Sequence, residues 1–355
     1  MKGHSCLDML QILTDLVKKT KMKTTSEKNG LHLNKIKPKG AFMDIYCIGE
    51  MVIDFIPGRE PMSYIYSAGG APANVAIELS RNGYQAAMCC AVGEDAFGEF
   101  IHRVLLENDV KIIKHERVSH ATTTMAFVSL QDGERSFTFA RKPGADRYID
   151  ETDVCEADIA QSRIVHAGSC SLSASPASEA TTKALRLGRS HNLVTSFDVN
   201  YRDVMWDSPD ACVSAVELLL PYVDMVKMSE EEVAMFVVGE KDLPAWMKRH
   251  GIHLLVETLG AAGARAYWQN LIIEAPSHPA KAVDTTAAGD AFWGAFLCSL
   301  LDQGLESVEQ LSTEMIQQAL TYGNASGWLC VQTKGAISAL PNRSQIVAAV
   351  EDLNV

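Results

Sequence analysis

Two hydroxyls, three small residues and a carboxylate stand in a row at Thr285-Thr286-Ala287-Ala288-Gly289-Asp290, just ahead of an apolar run from Ala291 to Leu301. The run is apolar on nearly every face. That predicts a buried helix starting at about Ala288, with Gly304 just past its C-terminus. The first N–H groups of such a helix have no partner inside it, so they form an anion site, and residues this small let a phosphate come close. Asp290 falls in that first turn. A carboxylate there answers the helix dipole. It is equally a base beside a phosphate cradle, taking a hydroxyl proton while the N–H groups hold transferring charge. Spacing alone leaves both readings open.

Other polar residues sit where plain packing would not put them. Asp54 interrupts the apolar stretch Val52-Ile53-Asp54-Phe55-Ile56, and an unpaired carboxylate is costly to bury. Gly69-Gly70 breaks an extended segment before Pro72 and a helical run that carries Asn74; as a turn alone, the double glycine would need no further role. Asp198, Asn200 and Arg202 cluster at the end of the strand Val194–Asp198, and the C-terminal ends of parallel strands face the ligand crevice. Ser229 with Glu232 reads as a capping box, which accounts for both residues structurally. Thr258-Leu259-Gly260-Ala261-Ala262-Gly263 is a strand running into a glycine turn, or simply a hairpin connection.

Asp-Thr-Thr-Ala-Ala-Gly-Asp-Ala-Phe with Gly294-Ala295, and Gly69-Gly70-Ala71-Pro72-Ala73-Asn74 more than two hundred residues before it, resemble the two signatures of the ribokinase/PfkB family of sugar kinases. The family usually has Gly at the place of Ala287. Asp-x-Asn-x-Arg followed by Met205-Trp206 is similar to the fructokinase and 2-keto-3-deoxygluconate kinase branches. The resemblance covers about residues 43–350. It implies a ribokinase-like α/β fold: a central, mostly parallel sheet with helices on both faces, and a small β-sheet lid from segments near 53–67 and 120–141. It implies transfer of the ATP γ-phosphate to a sugar hydroxyl, with fructose the first expectation and 2-keto-3-deoxygluconate or a nucleoside the alternatives. A catalytically silent sugar- or nucleotide-binding member is the alternative of another class.

Residue by residue, the resemblance implies Asp290 as base, with the N–H groups of Ala287, Ala288 and Gly289 holding the transferring group. It implies Asp54, Gly69, Gly70, Asn74, Arg141 and Arg202 at the sugar. Thr258, Gly260 and Gly263 would line the nucleotide phosphates, and Asn324 would face the adenine. Glu232 would link to Mg²⁺ through water, although the family's partner Asn is Ser229 here. Asp284 matches a ligand of a monovalent cation such as K⁺, with carbonyls near Val331 and Ala336; local sequence offers instead an Asx-turn from Asp284 to the Thr286 N–H. A homodimer through the lid is a further expectation.

The elements that must position these residues alternate strand and helix from Ile164 onward. Thr122–Leu130 and Glu134–Ala140, joined through Asp132-Gly133, read as a hairpin. At 355 residues the chain has length for one large α/β domain. A net charge of −12 argues against a nucleic-acid partner, so an anionic nucleotide must be met locally. No apolar run is long enough to span a membrane, and no Walker A or Gly-x-Gly-x-x-Gly motif occurs. Nine scattered cysteines without a metal-binding spacing point to reduced thiols and a cytoplasmic protein. Residues 1–42 carry nine Lys against Asp8, Asp15 and Glu27, a local charge of +6 that leaves −18 for the rest. They are expected to be a disordered leader or extension, followed by the kinase domain over 43–355.

Overall fold

The computed structural model describes residues 43–353 apart from 59, 61, 132–133 and 238–242; the expected leader and the Asp132-Gly133 turn therefore lie outside the described residues. Strand β1, Ile45–Ile48, sets the layering. Its residues alternate between two cores, Ile45 and Cys47 on one face and Tyr46 and Ile48 on the other, all fully buried. A strand covered on both faces reads as an unbroken apolar run, as this one does.

Around β1 the chain adds β4 (Ala86–Cys89), β5 (Val110–Ile112), β8 (Ile164–Gly168), β9 (Val194–Asp198), β10 (Met225–Ser229), β11 (Leu254–Thr258), β12 (Ala264–Trp268) and β13 (Leu271–Ala275). The order is β13-β12-β11-β10-β9-β8-β1-β4-β5. Pairing is parallel from β11 to β5, and β12 and β13 close one edge as an antiparallel hairpin. A second sheet stands apart, formed by β2 (Val52–Pro57), β3 (Tyr64–Gly69), β6 (Met125–Gln131) and β7 (Glu134–Ala140) in the order β3-β2-β6-β7. This is the ribokinase-like architecture, with the small sheet built from the segments expected of a lid.

The central helix, Ala288–Asp302, is buried from Asp290 to Leu301. Trp293 fixes its rotation by donating from Nε1 to Ser196 Oγ on β9 at 2.9 Å. Gly304 follows the helix at φ 84°, the left-handed position expected of it.

Two helices start at side-chain caps. One starts at Ala96, where the Asp95 carboxylate accepts from the N–H groups of Phe97 and Gly98. The other starts at Thr313, where Ser312 caps the Met315 N–H. Among the described residues no helix is long and apolar enough to cross a membrane, and every cysteine is a free thiol.

Candidate active site

The turn that enters the central helix divides its residues between two cavities. Thr285, Ala288 and Gly289 line one of about 280 Å³; Thr286, Ala287 and Asp290 line another of about 80 Å³. The helix N-terminus thus stands between two compartments. No side chain caps it. The Ala288 N–H closes the turn onto the Thr285 carbonyl at 3.3 Å, which makes it the weakest member of the expected cradle.

Ala287 occupies the left-handed region at φ 60°. A Cβ in that conformation costs roughly 1–2 kcal/mol. Ala287→Gly is therefore expected to raise unfolding free energy by about 1 kcal/mol, read from denaturant midpoints at unchanged m-value. A lower midpoint would mean that the methyl group makes contacts worth more than the strain.

The smaller cavity gathers Asp54, Gly70, Asn74, Arg202, Ala287 and Asp290, all expected at the sugar or the reacting centre. Elements far apart in sequence supply them. Asp54 comes from β2, Asn74 from the helix Ala71–Arg81, Arg202 from the loop after β9 and Asp290 from the central helix. Gly69 lies just behind, where a Cβ would collide with Asp54 Oδ2. Asn74 Nδ2 donates to Asp290 Oδ2 at 2.7 Å, so the amide aims the carboxylate. Burial holds Asp290 above the usual carboxylate range, helped by Asp198 and opposed by the Asn74 bond, Lys227 and Arg202.

Sequence reasoning missed four features of this wall. Glu50 is 4% exposed and accepts from the Ala71 N–H through Oε1 at 3.1 Å; Cys170, Phe139 and Met205 also line the cavity. Glu50 was visible as an acid at the end of an apolar strand.

Burial pushes the Asp54 carboxyl up to about 7 against the pull of Arg202, and burial likewise raises Glu50 to about 7. The unfolded chain releases these protons near pH 4. From there to pH 7 the folded state holds more protons, so stability falls as pH rises through that window and is level above it. Asp54→Asn removes one such group. The variant should melt higher than the parent at pH 8 and the gap should narrow by pH 5; a gap independent of pH would contradict a raised Asp54.

The larger cavity gathers Thr258, Gly260, Gly263 and Asn324 with Ala288 and Gly289, under a wall that includes Phe292 and Trp328. Asn324 also braces that wall: its Nδ2 donates to the carbonyls of Ala275 (2.8 Å) and Pro276 (3.3 Å).

Besides Gly69, three expected site residues lie outside both cavities. Arg141 is not brought to the smaller one: it pairs with the buried Asp146 at 2.7 Å and donates to Ser173 Oγ at 2.9 Å, packed inside the protein. Glu232 closes the capping box on the Ser229 N–H (2.7 Å) and accepts from the Tyr201 N–H (2.6 Å), so both its oxygens meet backbone. Asp284 makes the Asx-turn to the Thr286 N–H (2.8 Å) and accepts from the Gly335 N–H (3.0 Å), clamping the turn to the segment after the helix Thr313–Cys330.

The sequence singled out Asp198 but not its partner. Lys227, on β10, donates from Nζ to both oxygens of Asp198 on β9, at 2.9 and 3.0 Å. Asp198 is 0% and Lys227 5% exposed. The available signal was a lysine inside the apolar strand Met225–Met228.

The family model of the pfkB family carbohydrate kinases matches residues 43–343. Fructokinase-2 of Zea mays is 34% identical over 321 residues, which cover 87% of this chain and 93% of the maize protein. Among solved structures, fructokinase with bound ATP from Xylella fastidiosa aligns with a TM-score of 0.83 at 30% identity, over 88% of this chain and 99% of that one. Fructokinase from Vibrio cholerae O395, in its fructose-, ADP- and calcium-bound form, aligns with a TM-score of 0.78 at 30% identity, over 87% and 99% of the two chains.

Proposed function

Since the chain belongs to the pfkB family of carbohydrate kinases and is an ATP-dependent sugar kinase, we propose that its sugar is fructose, seated in the smaller cavity, with ATP in the larger. The observation that carries this arrangement is the turn 285–290, which gives alternate faces to the two cavities. A phosphoryl group passing between them crosses the N-terminus of the central helix.

In this reading Asp290 takes the proton of the attacking hydroxyl, aimed by Asn74, while the N–H groups of residues 287–290 hold the transferring group. Because such transition states are loose, positioning and charge stabilisation do most of the work. Asp54 accepts from sugar hydroxyls and Arg202 supplies the facing cation. Gly69 and Gly70 let backbone approach the sugar. Thr258, Gly260 and Gly263 border the nucleotide phosphates, and Asn324 stands by the base.

The larger cavity fits a nucleotide: a glycine-rich floor at 260–263 and apolar walls of Phe292 and Trp328 suit phosphates at one end and a purine at the other. Among the described residues no group of three or more His, Cys, Asp or Glu could hold a metal ion. Mg²⁺ bound with the nucleotide would neutralise phosphate charge, and Glu232 would hold it through water. For K⁺, Asp284 offers a hard oxygen donor behind the turn, next to the Val331 carbonyl.

Strand β3 is an edge of the small sheet and exposes Tyr64, Ile65 and Tyr66. Such an edge supports pairing with a second copy through the lid. The free thiols agree with a cytoplasmic enzyme.

The test is ADP release with ATP and Mg²⁺ over a panel of fructose, other hexoses, 2-keto-3-deoxygluconate and nucleosides. Fructose is expected to give the highest kcat/KM; a higher value for a nucleoside or the keto acid would reassign the substrate, and silence across the panel would make the chain a binding protein.

A further inference from the structure

The Asp198–Lys227 ion pair lies beneath the first turn of the central helix and lines neither cavity. A Cβ on Gly289 would stand 3.0 Å from Lys227 Nζ, so the ammonium is seated directly against the residue that precedes Asp290. Fully buried ion pairs are a poor way to gain stability, since desolvation offsets their attraction. A pair of apolar residues would serve the sheet as well. We infer that Asp198 and Lys227 are positioning residues that act through Asp290: together they set the local field in which its carboxylate takes the hydroxyl proton.

The surroundings support this. Asp198, Lys227, Arg202 and Asn74 act most strongly on Asp290; Glu50 and Asp54 line the same cavity, and the Cys330 thiol, against the Thr286 carbonyl, also feels its charge. Asp198 resists ionisation of Asp290 and Lys227 favours it. Lys227 itself stays charged despite burial, because Asp198, Glu232 and Asp290 outweigh its desolvation. Its field also reaches His166, whose ring burial already keeps neutral. The pair thus adds one charge of each sign at short range, and removing either one tilts Asp290 in a known direction.

The inference rests on Asp290 as proton acceptor, and the experiment separates the two claims. The pH dependence of kcat/KM for fructose is measured in the parent, Asp198→Asn, Lys227→Met and the double variant. Asp198→Asn removes an anion, so the acid limb should move down by about one pH unit; Lys227→Met removes a cation, so it should move up by about as much. The double variant should return close to the parent. Simple structural damage lowers turnover in both single variants but does not move their limbs in opposite directions. Limbs that coincide with the parent's in folded variants overturn the inference and leave Asp290 as the base. An Asp290→Asn variant with parental turnover and the same acid limb overturns the underlying reading instead. Should Lys227→Met fail to fold, Asp198→Asn decides, since its amide keeps an oxygen acceptor for Lys227; an upward or absent shift there sinks the proposal.

Discussion

Replacing Asp290 by Asn is expected to lower turnover by a factor of ~10²–10⁴ while leaving the affinities for fructose and ATP near those of the parent. The substitution keeps the volume of the side chain and an oxygen that can accept from Asn74 Nδ2, so the wall of the smaller cavity should keep its shape. What is lost is the negative charge and the site for the proton. The parent carboxylate is desolvated and stands near Asp198, so removing its charge relieves an unfavourable burial rather than breaking a salt bridge. The variant should therefore fold at least as stably as the parent, and the loss should fall on kcat. Steady-state rates with calorimetric binding of fructose separate the two effects. Near-parental turnover would return Asp290 to the role of answering the helix dipole.

Gly70→Ala is expected to damage stability and fructose binding together. Gly70 precedes the helix Ala71–Arg81 at φ 132°, a conformation that side chains rarely adopt. A Cβ there would also run into the Glu50 carbonyl oxygen, which is backbone and has no rotamer by which to give way. Strain and overpacking together put the cost on the order of 3 kcal/mol. Any relaxation must move Glu50 or the helix that carries Asn74, and so must loosen the aim of Asp290. The variant should show a lowered unfolding midpoint and a raised KM for fructose together. A stable variant with parental KM would show that this stretch of backbone is free to shift.

Much of this was legible because certain residue types have few physical excuses. The central helix announced itself through an apolar run with no polar face. Asp54 was readable as a carboxylate in apolar company, and Ser229 with Glu232 as a capping box. The same argument, applied to Lys227 within Met225–Met228, would have marked it as paired, although only the fold shows Asp198 as its partner.

Other features have no local signal. Asn74 and Asp290 are 216 residues apart in the chain, and their bond exists because the helices 71–81 and 288–302 pack together. Arg141 is the converse case: an arginine just past the strand Glu134–Ala140 gives no hint that Asp146, five residues on, will pair with it. Asp284 offered two readings from sequence, and its bonds to Thr286 and Gly335 make the Asx-turn real whatever ion sits behind it.

In the proposed reaction, transfer from ATP to fructose is coupled across the turn 285–290. Following γ-labelled ATP in the presence and absence of fructose tests it most directly. Label is expected to leave ATP only when fructose is present and to appear in a hexose phosphate in equal amount to the ADP formed. Label released to water as inorganic phosphate at the same rate with or without the sugar would contradict it.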